Sequence, residues 1–180
     1  MLKRNVKAMS LNLVEENLQA VLYERDLTQL DLPTKYEAII MPTGSFCLLP
    51  QNKVKEILAG FYRQSQPGGK IILDLEWPKN FVVNSLSTTE IVLDENRSII
   101  FTGIAQGVDW LQQKTWAMNR YELFENGKLI QTEVGNFTMY WYGQKEFYFL
   151  LEKVGLTKIS VTRGYEKNKE LPFMTFFATK

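Results

Sequence analysis

Histidine is missing from this chain altogether, and cysteine occurs once, as Cys47. Without histidine there is no histidine-based triad, no imidazole metal ligand, and none of the side chain most often used as a general base. A single cysteine makes neither a disulfide framework nor a thiolate metal cluster, so no metal is expected. Long apolar runs are lacking too: none approaches the roughly 18 residues of a membrane-spanning helix, and the first residues show no signal-peptide pattern. Nor is there an excess of either charge, with 21 Lys and Arg against 20 Asp and Glu. Nucleic-acid and membrane-surface binders normally carry a basic stripe. Neither partner is expected, and a soluble cytoplasmic protein is. The 180 residues, 45% of them hydrophobic, suffice for one domain with a substantial core.

What is present centres on the stretch from Tyr36 to Pro78. Ala38-Ile39-Ile40-Met41 is a short apolar run bounded by charge and by Pro-Thr-Gly, and Lys70 to Leu75 is a second, β-branched one. Between them Val54, Ile57, Leu58 and Phe61 recur at i, i+3, i+4 and i+7, one face of a helix. Pro67-Gly68-Gly69 is expected to stop that helix and turn the chain into the next strand. Two buried strands joined through a helix make a right-handed βαβ crossover, hence a parallel pair covered on both faces. Ligands of such sheets sit beyond the carboxyl ends of the strands, which places Met41 to Phe46 and Glu76 to Pro78 beside any pocket.

Along the rest of the chain, Val6, Met9 and Leu13 suggest a helix over about 1–17, and Gln19 to Glu24 a short strand. Arg25 to Pro33 is a polar connection, in which Asp26 is either a turn residue accepting backbone N–H groups or an acceptor for a ligand. Pro42-Thr43-Gly44-Ser45-Phe46 combines a glycine that permits close backbone approach with a hydroxyl, although judged alone a plain strand-to-helix loop with Ser45 as a turn or cap residue is the plainer reading. No Gly-Lys-Ser/Thr follows, so it is not a phosphate-binding Walker loop. Cys47 lies in the apolar context Phe46-Cys47-Leu48-Leu49, where a small core residue is the plainer reading than a nucleophile. From Ser87 to Tyr142 the period changes to strand alternation. Asp94-Glu95-Asn96 and Asn126-Gly127 supply turns, and a meander of about four antiparallel strands is expected. Its aromatics, among them Trp110, Trp116, Trp141, Tyr121, Tyr140 and Tyr142, read first as core packing. Arg120 and Glu122, two apart on one strand face, are a surface ion pair or a substrate anchor. Gln144 to Val154 is a second helix, stopped by Gly155. Leu156 to Arg163 and Phe173 to Thr179 are the last strands, joined by a polar loop from Gly164 to Glu170. No internal repeat appears.

Taken in order, these segments resemble a class I S-adenosylmethionine-dependent methyltransferase of the small-molecule type. Tyr36-Glu37-Ala38-Ile39-Ile40 is similar to the family's "FDaii" fourth strand, and Pro42 to Phe46 to the cofactor-side loop after it. Gln66 to Asp74 is similar to the "kPGGrlilD" turn and fifth strand, and Phe147 to Leu156 to the "eLlelLekaGF" helix. The last two strands resemble the family's antiparallel C-terminal hairpin, and the meander a β-sheet lid found in some relatives. The resemblance implies an α/β fold, a partial Rossmann-like sheet built from residues 1–85 and 143–180, with residues 86–142 inserted as the lid. It implies S-adenosylmethionine as cofactor and a small molecule as methyl acceptor. Asp26 and Leu27 would hold the adenine, with Asp26 accepting from its exocyclic amine. Met41, Pro42 and Ser45 would lie near the methionine part and the transferred methyl. Trp110, Arg120 and Tyr142 would be on the substrate side, and Glu76 is the one carboxylate placed to act as a base. Direct displacement of the methyl from the sulfonium leans on positioning and water exclusion, so the missing histidine does not exclude it.

The chain departs from the family in one respect. No strand followed by a G-x-G-x-G loop occurs in the sequence, nor the acidic residue that holds the ribose hydroxyls; Met1-Leu2-Lys3-Arg4 resembles the start of the helix that comes next. The chain therefore resembles a truncated methyltransferase lacking its first two strands and first helix. Those strands would separate the Gln19–Glu24 strand from the Ala38–Met41 strand, and without them two apolar edges would stand open. Rearranged pairing, or a homodimer covering the Ala38–Met41 edge, is expected, with S-adenosylmethionine bound weakly or not at all by this chain alone. The alternative function is a non-catalytic methyltransferase-like remnant, acting as a dimerisation or binding module.

Overall fold

A computed structural model describes residues 19–164 and 172–180. The helix expected over 1–17 and most of the loop expected after Gly164 lie outside the described residues. The crossover is present: Tyr36–Met41 (β1) and Ser65–Glu76 (β2) pair in parallel through one helix, Val54–Gln64 (α1). Short 3-10 turns at Ser45–Leu48 and Gln51–Lys53 lead into that helix. Val54, Ile57, Leu58 and Phe61 form its buried face, none more than 3% exposed. The helix stops earlier than its glycines suggest. Ser65 Oγ donates to the Phe61 carbonyl at 2.8 Å, satisfying a last-turn acceptor, and the chain is already paired as strand at Ser65. Tyr36 pairs with Ser65 and Ala38 with Lys70, so Gln66 to Gly69 loop out between the two pairs. A Cβ on Gly69 would come within 2.9 Å of the Gln66 carbonyl oxygen, which is why glycine stands there.

The first sheet is completed by Thr157–Arg163 (β7) and Phe173–Thr179 (β8), both antiparallel to their neighbours, in the order β1-β2-β8-β7. A second helix, Gln144–Lys153 (α2), precedes β7. Ile71, Leu73 and Leu75 of β2 and Phe176 and Ala178 of β8 share one core with both helices. An aromatic knot closes it: Phe46 lies 5.1 Å from Phe147 and 6.1 Å from Tyr142, and Phe147 lies 5.0 Å from Phe176. Alternation sends Ile72 to the opposite face, where Ile40, Ile72 and Phe177 fall in one row across three strands. Ile40 is 62% exposed and Phe177 37%.

The second sheet is the meander: Leu86–Val92 (β3), Arg97–Asp109 (β4), Lys114–Glu125 (β5) and Lys128–Tyr140 (β6), antiparallel in chain order. Asn126 and Gly127 both take positive φ, 50° and 73°, the turn that matches strand twist. One expectation fails. Gln19–Glu24 is irregular, because an extended segment becomes a strand only by pairing and no partner for it exists among the described residues. Of the two outcomes expected for the open edges, rearranged pairing is not seen: among the described residues β1 keeps its parallel partner β2 and has no strand on its other side.

Candidate active site

The carboxyl ends of β1 and β2 meet at a tight turn, Pro42–Ser45. The Pro42 carbonyl accepts the Ser45 amide at 3.2 Å and the hydroxyls of Thr43 and Ser45, each at 2.8 Å. Both central residues are left-handed, Thr43 at φ 56° and Gly44 at φ 69°. A β-branched residue in that region costs about 1–3 kcal/mol and persists only where its surroundings over-determine it. Here the surroundings include Asp74, a buried carboxylate whose Oδ2 accepts the Thr43 amide at 2.8 Å and whose Oδ1 accepts the Thr175 hydroxyl at 2.7 Å. Gly44 is in close contact with Glu76: a Cβ built on it would lie 3.0 Å from Glu76 Cβ, and 3.3 Å from both Glu76 Oε2 and the Phe173 ring.

Glu76 is half-buried at the end of β2. Burial pushes its carboxyl above the ordinary carboxylate range. Cys47 lies beneath, fully buried, its sulfur accepting the Glu76 amide at 3.3 Å. Burial pushes that thiol up to about 12, so it stays protonated and serves as core. Beside Glu76, Trp77, Gln144, Arg163, Phe173 and Met174 line an open cleft of about 380 Å³. Arg163 Nη2 donates to Gln144 Oε1 at 3.4 Å across it. Trp77 also meets Trp141 edge-on at 6.5 Å, and Trp141 meets Trp110 at 5.3 Å, so an aromatic train runs from the cleft to the β4–β5 turn.

The expected site residues fall into three groups. Met41, Pro42, Ser45 and Glu76 come together at the strand ends, with the Ser45 hydroxyl held by the Pro42 carbonyl as a turn residue. Asp26 caps the 3-10 turn Leu27–Gln29, its Oδ1 accepting both the amide and the hydroxyl of Thr28 at 2.8 Å. Those bonds lower its pKa and leave Oδ2 outside them, while Leu27 packs on the core. On the meander side, Trp110 is 62% exposed. Arg120 pairs with Glu122 at 3.2 Å. Tyr142 is 2% exposed, in the core, and its hydroxyl has no partner among the described residues; burial raises its pKa. Sequence reasoning placed Thr43 and Trp77 beside the pocket without giving either a role, and missed Asp74 and Arg163. Asp74 had a readable signal, a carboxylate two residues before Glu76 on the same strand face.

As a cofactor site, the strand ends offer a glycine-bearing turn and a desolvated carboxylate, and Asp26 offers an open acceptor oxygen. No glycine-rich loop that could cradle the rest of a nucleoside cofactor occurs in the sequence. Among the described residues no cluster of potential metal ligands occurs, and no helix is long and apolar enough to cross a membrane.

No protein-family model and no curated protein matches the chain by sequence. Solved structures do match. The amino pentose methyltransferase CalS10 of Micromonospora echinaspora, solved with bound S-adenosylmethionine, is similar at a TM-score of 0.66 and 15% identity, over 86% of this chain and 62% of that one. An S-adenosylmethionine-dependent methyltransferase of Clostridium acetobutylicum is similar at 0.75 and 14%, over 94% and 68%. The sugar N-methyltransferase KedS8 of a Streptoalloteichus species is similar at 0.71 and 14%, over 92% and 65%. The chain thus carries a partial Rossmann-like fold of the class I S-adenosylmethionine-dependent methyltransferases. It spans less than two thirds of CalS10 and of KedS8.

Proposed function

We propose that the protein serves S-adenosylmethionine-dependent methyl transfer to a small molecule, and that the carboxyl ends of its half-sheet supply the acceptor cleft and part of the donor site. The observation that carries this reading is the sheet order β1-β2-β8-β7, with a desolvated Glu76 at the strand ends, on a fold similar to methyltransferases. Amino sugars are the acceptor class to try first, since CalS10 is described as an amino pentose methyltransferase and KedS8 as a sugar N-methyltransferase. When bound, the cofactor supplies an electrophilic methyl group on a sulfonium. Glu76, its proton affinity raised by burial, takes the proton that an amine gives up on methylation. The cleft beside Trp77, Gln144 and Arg163 holds the acceptor, and the Pro42–Ser45 turn limits the water that reaches the reacting atoms. Met41, Pro42 and Ser45 approach the methionine part, and Asp26 and Leu27 the adenine. Residues 86–142 act as the lid, through Trp110, Arg120 and the Tyr142 at its base. The chain is cytoplasmic in this reading.

In the same proposal, cofactor binding by this chain alone is weak, because its sequence has no glycine-rich loop. A homodimer covers the β1 edge, supported by the exposed Ile40 and its row with Ile72 and Phe177. That open apolar edge also favours the second reading, a non-catalytic dimerisation or binding module. Calorimetric titration of S-adenosylhomocysteine, beside a light-scattering mass, separates the claims. Weak, unsaturated heats with a dimeric mass are expected. Micromolar binding would refute the argument from the missing loop, and a monomeric mass would refute the dimer.

A further inference from the structure

Asp74 and Glu76 stand two residues apart on β2 and so share one face of the strand. Asp74 is 3% exposed and grips the turn from below through the Thr43 amide at 2.8 Å, braced from β8 by the Thr175 hydroxyl at 2.7 Å. From above, the Pro42 carbonyl gathers the Ser45 amide and two hydroxyls. The turn so fixed places Gly44 where even a methyl group would be 3.0 Å from Glu76 Cβ and 3.3 Å from Oε2. Backbone that close occupies space that water would otherwise take beside the carboxylate.

We propose that Asp74 is a positioning residue: through the Thr43 amide it holds the Pro42–Ser45 turn against Glu76 and keeps water from that carboxylate. The inference rests on the reading of Glu76 as the base of the site. Among the described residues, the groups beside Glu76 are Asp74 on its own strand, the protonated Cys47 thiol from the turn after Gly44, and Phe173, its cross-strand partner on β8. Asp74 could therefore act on Glu76 in two ways, by its hydrogen bond or by its charge, and the two separate by substitution. Asparagine keeps an acceptor for the Thr43 amide, and its amide group can donate to Thr175 Oγ, while the charge is gone. Alanine removes both.

The test is a carbon-detected NMR titration of the Glu76 carboxyl in the full chain. The raised value should persist in Asp74→Asn and fall back toward the ordinary glutamate range in Asp74→Ala. A wild-type value in Asp74→Ala, or a fall in Asp74→Asn equal to that in Asp74→Ala, overturns the proposal. Should Asp74→Ala fail to fold, hydrogen exchange in the unsubstituted chain decides. The Thr43 amide is expected to exchange as slowly as the paired amides of β2, and exchange at the rate of an open loop overturns the proposal. A cofactor titration on the same samples keeps the two readings apart. Glu76 behaving as stated in a chain that ignores S-adenosylhomocysteine upholds Asp74 as a positioning residue and removes the methyltransferase reading.

Discussion

Gln113 donates through Nε2 to Glu146 Oε2 at 2.8 Å, joining the turn between β4 and β5 to the first turn of α2. The same carboxylate oxygen accepts the Gly143 amide at 2.9 Å, satisfying one of the free donors at the helix start. One side chain therefore caps a helix and fastens the meander to the first sheet. Glu146→Ala should cost about 1–2 kcal/mol, as lost caps and hydrogen bonds do, and lower Tm by several degrees, roughly 2–4 °C per kcal/mol at this size. Glu146→Gln, which keeps an acceptor, should lie close to the unsubstituted protein. Differential scanning calorimetry of the two variants checks it.

Tyr142 buries a hydroxyl without a partner among the described residues, while its ring packs on Phe46 and Phe147. Removing the hydroxyl alone relieves a desolvation cost of about 1–3 kcal/mol. Tyr142→Phe should therefore match or exceed the parent in stability. Tyr142→Ala, which also empties the aromatic knot, should lose about 3–5 kcal/mol. Urea titrations of both variants test the sign of the first and the size of the second.

Glu76 makes stability depend on pH in a definite direction. Burial raises its pKa in the folded chain above that of the unfolded chain, so the folded state holds the proton more tightly. The associated stability is present below the unfolded pKa and is lost as pH rises through the folded one. Glu76→Gln should raise Tm at neutral pH, and the advantage should vanish in acid. A variant no more stable than the parent at neutral pH would contradict the burial of the carboxylate.

Ile40, 62% exposed on β1, the end strand among the described residues, is the residue whose change should report on a dimer with least damage to the fold. A lysine on an exposed edge strand is a common block to edge pairing. Ile40→Lys should convert a dimeric light-scattering mass to a monomeric one and leave the circular dichroism spectrum unchanged. A dimer that survives it is built elsewhere.

The parts of the fold legible in the sequence are those fixed by local pattern. The spacing of Val54, Ile57, Leu58 and Phe61 gives α1, the alternation and Asn126-Gly127 give the hairpin of the meander, and Gly155 marks the end of α2. What depends on distant partners was not legible. Gln19–Glu24 has the composition of a strand but nothing to pair with among the described residues, and Pro67-Gly68-Gly69 makes a looped-out segment because Ser65 had already closed the helix. At the site, Met41 to Ser45 and Glu76 could be placed together because strand ends in a crossover lie side by side. The Asp74 grip on Thr43 could not, since a hydrogen bond across 31 positions leaves no local trace.

The central claim is that the carboxyl ends of β1 and β2 receive a methyl donor. The most direct measurement is an NMR shift map of the chain titrated with S-adenosylhomocysteine into the millimolar range. The account predicts weak binding, with perturbed amides concentrated at residues 41–46 and 74–77. Perturbations spread without focus, or none at all, would contradict it and leave the chain as a binding module on a methyltransferase-like sheet.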